Sequence, residues 1–510
     1  MHTGAPRQRW NRTSTRRQPS ARWCILADAK CLLPDAHIDD WLYGDVLTQS
    51  RSIQANVQAC SVASAIAYGQ RRRDTAWMLR ATAFASLAAT LCFLAAAAPA
   101  RPAQNTDPFP TRPSKKGLQV QMIDDALALG VRHATLNCDL TSWPALASMD
   151  DDFHFTASDG KEYAFRKQPV IALDRSVKEL SDGEAIVYLI LLSYESPDPA
   201  RNAVMLHAKY DKAAKTNRMG AFNTAVADDG RSWFAAVIEF IAQRYSPSDA
   251  AHGRVWGYIV GNEVNAHWWW YNMGRVPLEE IASEYERAVR IVHTAVRRSS
   301  QNARVYLSFE HHWGTSNSPD KPDLSVRGRD LLGKFAELAR ERGDFDWHVA
   351  YHPYPENLGD PRFWLDKSAT PDDASPRITF KNLQVLTTHL ARPELLWKGQ
   401  TRRIILSEQG FHCREELPDG EAVQAAAFCY AWRKVAALPA IDAFILHRHV
   451  DHAYEGLNLG LWTHAPDTVS TPGRKRPLYD VFRAADTPEW EKAFAFALPI
   501  IGLNDWPSAE

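Results

Sequence analysis

The chain has 510 residues, with 59 Lys and Arg against 60 Asp and Glu, so its net charge is -1. That balance removes the electrostatic ground for nucleic acid or an anionic membrane as the main partner, and 45% hydrophobic content is far too high for a disordered chain. The seven cysteines include no CxxC pair, and HExxH, GxxxxGK[ST] and GxSxG are all missing. These absences count against zinc protease, P-loop NTPase and serine hydrolase chemistry.

Residues 1–77 are polar and Arg-rich, without sustained periodicity. The basic Met78-Leu79-Arg80 then leads into an apolar run from Ala81 to Ala98 and the small-residue site Ala98-Pro99-Ala100. This is the order of a secretory signal peptide over 78–100, with translation starting at Met78 and 1–77 as misassigned upstream sequence. A genuine disordered leader, or an uncleaved anchor, are the alternatives. The expected destination is secreted or periplasmic, with no stable membrane insertion after cleavage. Residues 101–112 read as a linker, and 113–500 as one domain.

Within that domain strands and helices alternate. A short strand, Lys116–Gln119, precedes a helix over Met122–Leu129 that ends at Gly130. A second strand covers Val131–Asn137. Phe153–Phe165 alternates around Asp159-Gly160, the signature of a β-hairpin insertion. After a helix near Asp174–Leu180, the continuous apolar run Ala185–Tyr194 suits a strand buried on both faces. The pattern then repeats: helix Ser232–Tyr245, strand Val255–Val260, helix Leu278–Arg298, strand Arg304–Phe309, helix Asp330–Arg342 and strand His348–His352. Helix Thr379–Leu390, strand Arg403–Ser407, helix Glu421–Leu438, strand Ala443–His447 and a helix at Leu478–Ala485 complete it. About eight strand–helix units, without a Gly-rich dinucleotide loop after the first strand, predict an α/β fold of the (β/α)8 TIM-barrel type.

Such barrels carry their sites at the C-terminal ends of the strands. Here those exits hold Asn137, Asn262-Glu263, Glu310-His311-His312, His352-Pro353-Tyr354, Glu408 and His447. Glu263 and Glu408, at the fourth and seventh strands, are the candidate catalytic pair. Two carboxyl groups across a barrel mouth can flank a glycosidic bond, one protonating the leaving oxygen while the other attacks the anomeric carbon. Trp268-Trp269-Trp270-Tyr271 follows the proposed acid and offers apolar faces on which sugar rings stack.

The strand-Asn262-Glu263 and strand-Ser407-Glu408-Gln409-Gly410 pair, with His352-Pro353-Tyr354 between, resembles clan A of the retaining glycoside hydrolases. The domain as a whole is similar to an uncharacterised bacterial glycosidase-like family. The resemblance implies Glu263 as acid/base, Glu408 as nucleophile, Asn262 on the sugar 2-hydroxyl, and His352 and Tyr354 orienting the nucleophile. It implies a poly- or oligosaccharide substrate and no cofactor or metal. Asn137, Trp268, Glu310, His311 and His447 are further candidate substrate contacts. The clan's Arg at the second strand has no counterpart, and Trp462 is the best candidate for its Trp after the eighth.

Two other readings compete. His311, His312, His352, His412, His447, His449 and His452, with Asp451, allow a metal-dependent barrel hydrolase, although the first strand offers no ligand. A non-catalytic carbohydrate-binding barrel is the other, since fold does not fix function.

Overall fold

The computed structural model describes residues 104–149, 151–214 and 217–507. The expected leader, signal or anchor, and the first residues of the linker, lie outside the described residues. No helix among the described residues is long and apolar enough to cross a membrane.

The chain runs β1 (Lys116–Gln119), α1 (Ile123–Ala128), β2 (His133–Asp139), the hairpin β3 (Phe153–Thr156) and β4 (Glu162–Phe165), α2 (Lys167–Asp182), β5 (Ile186–Leu192) and α3 (Pro199–Met205). It continues through α4 (Trp233–Tyr245), β6 (Val255–Val260), the single turn α5 (His267–Trp270), α6 (Leu278–Ser299), β7 (Arg304–Glu310), α7 (Gly328–Glu341), β8 (Trp347–His352) and α8 (Gln384–Leu390). The last elements are β9 (Ile404–Leu406), α9 (Gly420–Ala436), β10 (Ile441–Leu446), the small hairpin β11 (Trp462–His464) and β12 (Pro472–Lys475), α10 (Pro477–Ala484), α11 (Trp490–Phe494) and α12 (Ala497–Ile501).

Eight strands close a parallel barrel in the order β1-β2-β5-β6-β7-β8-β9-β10 and back to β1. Every side chain of β5, Ile-Val-Tyr-Leu-Ile-Leu-Leu, is buried, as a strand covered on both faces requires. Alternate residues fill the inside of the cylinder, among them Tyr188, Ile190, Ile259, Tyr306, Ile405 and Ile445. The interior is therefore a packed core. The outward residues join the larger core beneath the helices. Helix α6 shows why these segments are helical. Ile281, Tyr285, Val289, Val292 and Val296 form its buried stripe, with Glu279 and Glu280 in the first turn and Arg297 and Arg298 in the last.

The (β/α)8 barrel and its hairpin are as expected, β3 pairing antiparallel with β4. Some boundaries move. β2 runs on to Asp139, whose carboxylate accepts from the Thr141 amide and so turns the chain after the strand. Asn137 thus lies within β2 and is exposed. α2 begins at Lys167, directly after the hairpin, and is more than twice as long as the segment read from its apolar spacing.

Candidate active site

β6 leaves the barrel through Gly261, at φ +74°, and the chain turns sharply. Glu263 itself is left-handed, with φ 42° and ψ 50°, a conformation that side chains other than Gly and Asn rarely adopt. Its amide donates to Ser308 Oγ of β7 at 2.9 Å, which pins the turn to the neighbouring strand. Asn262, just before it, is buried. Two residues on, Asn265 ties the same loop to the end of β7. Its Nδ2 donates to Glu310 Oε1, and its Oδ1 accepts the Glu310 amide at 2.9 Å.

Glu263 is 8% exposed and His352, at the end of β8, only 2%. His352 Nδ1 and Glu263 Oε1 share a hydrogen bond of 2.9 Å, while His352 Nε2 and Ser407 Oγ share one of 3.0 Å. Ser407 follows β9 and immediately precedes Glu408. Glu408 is half-buried, and the Tyr354 hydroxyl donates to its Oε1 at 3.4 Å. A carboxylate oxygen of Glu263, a ring nitrogen of His352 and a carboxylate oxygen of Glu408 all lie within 4.8 Å of one another. The barrel therefore brings together two glutamates distant in sequence. His352, expected beside Glu408 as an orienting residue, hydrogen-bonds Glu263 instead.

The electrostatics separate the carboxyl groups. Burial pushes Glu263 up to about 7, against the pull of His352 and with a further push from Glu408 and Glu310. Burial would also raise Glu310, but His312, with a lesser contribution from His311, holds it down at about 2. His352 is raised; burial opposes its charge, but the Glu263 hydrogen bond and the surrounding carboxylates outweigh that.

Glu310 Oε2 lies 2.5 Å from His312 Nδ1, and Arg377 donates to His312 Nε2 at 3.0 Å. An arginine only donates, so Nε2 accepts and the neutral ring carries its proton on Nδ1, facing Glu310. His311 Nδ1 meets the Tyr354 carbonyl at 3.0 Å, and burial lowers His311 to about 4, keeping it neutral.

His447, after β10, joins Glu455 at 2.8 Å through Nε2 and Gln119 through Nδ1, and Gln119 donates on to Asn137 at 3.0 Å. Glu455 also accepts from Arg448 at 3.0 Å; burial would raise it, but His447 and Arg448 hold it at about 2. Trp462 donates to Asp125 Oδ2 of α1 at 2.9 Å and packs edge-on against Tyr479 of α10. Of the aromatic cluster, Trp270 packs with Tyr194 against the residues filling the barrel. Tyr271 is buried in the outer core, and the Arg275 guanidinium lies 5.2 Å from the Trp268 ring centre.

The histidines do not gather around one centre. His449 bonds Asp125 at 2.9 Å and His412 accepts the Asn458 amide at 2.9 Å. Glu310, His311 and His312 offer three close ligand atoms, and Arg377 occupies His312 Nε2. Among the described residues, Glu263 with His352 and Glu408, and Cys413 with Glu415 and Glu421, are two further sets with ligand atoms within 4.8 Å of one another.

Asn265, Ser308, Ser407, Glu455 and Tyr194 were not among the candidates read from the sequence. Only Ser407 had a visible signal there, its place beside Glu408.

A family model described as "Family of unknown function (DUF5722)" matches residues 108–509. No curated protein matches the chain. Among solved structures, a family 39 glycoside hydrolase from the gut symbiont Bacteroides cellulosilyticus WH2 is similar at 12% identity and TM-score 0.44, over 71% of this chain and 59% of that one. The match thus spans less than two thirds of that enzyme. A hyperthermophilic beta-glucosidase from Pyrococcus furiosus matches at 14% identity and TM-score 0.46, over 74% of this chain and 86% of that one. A glucosidase from Croceicoccus marinus matches at 11% identity and TM-score 0.44, over 75% and 66%.

Proposed function

We propose that this chain, which belongs to the DUF5722 family of unknown function, is a glycoside hydrolase that retains anomeric configuration. The observation that carries this is the pair of carboxylate oxygens, from Glu263 and Glu408, within 4.8 Å of each other. Retaining enzymes hold their carboxyl groups about 5–5.5 Å apart, whereas inverting ones need about 6.5–9.5 Å to admit a water. With its carboxyl raised to about 7, Glu263 keeps a proton near neutral pH and protonates the leaving oxygen. Glu408 attacks the anomeric carbon, the glycosidic bond breaks, and a glycosyl ester forms. Glu263, now ionised, takes a proton from the water that hydrolyses the ester, and Glu408 is released. Asn262 binds the sugar 2-hydroxyl, and the substrate is a poly- or oligosaccharide. Export through the 78–100 segment is part of the proposal, tested by N-terminal sequencing of the secreted protein.

The test is a screen of the full chain against polysaccharides and aryl glycosides, with a Glu263→Gln/Glu408→Gln double variant as blank. Proton NMR of the first product anomer should show retention; inversion overturns the mechanism, and no turnover above the blank overturns the activity. The cation-capable trio of Glu263, His352 and Glu408 favours one second reading, a metal-dependent hydrolase. Hydrolysis by the parent that stops with chelator and returns with added divalent metal would select it.

A further inference from the structure

His352 spans two groups of different character. One ring nitrogen meets a carboxyl that must change protonation twice per turnover, and the other meets a hydroxyl, Ser407 Oγ, at 3.0 Å. Glu263 is 8%, His352 2% and Ser407 1% exposed, so bulk water does not reach this bridge. In such a place each protonation state needs its own complete set of hydrogen bonds, because an unpaired buried polar atom is costly. A hydroxyl both donates and accepts, which neither a carbonyl nor an amide N–H does.

We infer that Ser407 is a positioning residue for acid/base chemistry, acting through His352 to let Glu263 lose and regain its proton without leaving any buried atom unpaired. This rests on the reading of Glu263 as the acid/base. When Glu263 carries its proton on Oε1 and gives it to Nδ1, the ring proton is on Nε2 and Ser407 Oγ accepts it. When that proton moves onto Nδ1, the ring is a cation beside a carboxylate, and Ser407 still accepts. When the pair has lost one proton, Nδ1–H donates to the carboxylate, and the Ser407 hydroxyl turns to donate to Nε2. Between the first two forms the count of protons is unchanged; the third has one fewer, the one passed to the leaving oxygen. The other charged and titratable groups facing the bridge are Glu408 after β9, Glu310 at the end of β7 and the Tyr354 hydroxyl after β8. None of them bonds Nε2.

Ser407→Ala leaves Nε2 without a partner in all three forms, but an unpaired N–H, above all on a cationic ring, costs more than an unpaired ring lone pair, so the two forms with a proton there are penalised most. Glu263 is then held as the carboxylate. The expected result is an alkaline limb of kcat/KM displaced acidward by about one pH unit. kcat should fall more for glycosides with poor leaving groups than for nitrophenyl ones, and Ser407→Thr, which keeps the hydroxyl, should restore the parent profile. An unchanged limb in Ser407→Ala overturns the inference while leaving the glycosidase reading in place. A second measurement needs no turnover: ¹⁵N NMR of the His352 ring in the full chain. In the parent, Nε2 should gain and lose its proton as pH passes through neutrality. In Ser407→Ala that transition should lie about one pH unit lower, and identical titrations overturn the proposal. Loss of all hydrolysis in the parent, with the NMR difference present, would instead sink the glycosidase reading.

Discussion

The Tyr354 hydroxyl aims its proton at Glu408 Oε1 across 3.4 Å, a long bond with room to shorten. In the proposed mechanism a donor at that oxygen steadies the carboxylate before attack and again as the ester breaks. Tyr354→Phe is expected to lower kcat about tenfold, with a smaller change in KM. A comparison of burst and steady-state rates on a nitrophenyl glycoside would show which half of the reaction is slowed.

The two glutamates should fail differently. Under the proposed mechanism Glu408→Gln removes the nucleophile, and turnover should vanish on every substrate. Glu263→Gln should cost about 10²–10⁴-fold on substrates with poor leaving groups. On activated aryl glycosides its first step should survive, with azide restoring turnover as a glycosyl azide. Equal losses on both substrate types would remove the assignment of Glu263 as the acid.

Glu263 also predicts a pH-dependent stability effect. Its carboxyl is raised in the folded chain from 4.5 to about 7, so the folded state binds the extra proton. By linkage, its contribution falls as pH rises from about 4.5 to about 7 and is fully unfavourable above that. Glu263→Gln should therefore be more stable than the parent above neutral pH, by up to about 3 kcal/mol, and the gap should close towards pH 4. Denaturant midpoints at a series of pH values measure this directly.

Trp270, like Tyr194, packs against the residues that fill the barrel, and we propose it, rather than Trp268, as the sugar platform. Trp270→Ala should raise KM for an oligosaccharide about tenfold, an effect Trp268→Ala should not match. The reverse order would return the platform to Trp268.

Away from the site, Arg402 is buried between strands and helices. It donates to the carbonyls of Phe345, Trp347 and Leu395, pairs with Asp344 at 2.8 Å and stacks 3.6 Å over the Trp347 ring. Arg402→Ala should destabilise the barrel by about 3–5 kcal/mol, seen as a lowered denaturant midpoint with the slope unchanged.

The barrel was legible because its strands are short apolar runs such as Ile186–Leu192, buried on both faces, and because its helices carry stripes such as that of α6. The β3–β4 hairpin was legible from Asp159-Gly160. The β11–β12 hairpin was not, since Trp462–His464 is only half-buried and Pro472–Lys475 is fully exposed, leaving no hydrophobic alternation to read. At the site, the order of Glu263, His352, Tyr354 and Glu408 along the strand ends was readable. Their partners were not, because the direction of a side chain at a strand exit depends on local turns. The left-handed Glu263 and the Asn265 clasp on Glu310 decide where the carboxyl goes, and neither leaves a periodic trace.

That left-handed backbone has a practical outcome. Position 263 asks for a glycine or asparagine and holds a glutamate, at a conformational cost of about 1–3 kcal/mol. Glu263→Asn would thus relax the turn while removing the proposed acid, yielding a sturdier form that is slow on glycans with poor leaving groups and suited to trapping them intact for crystallography.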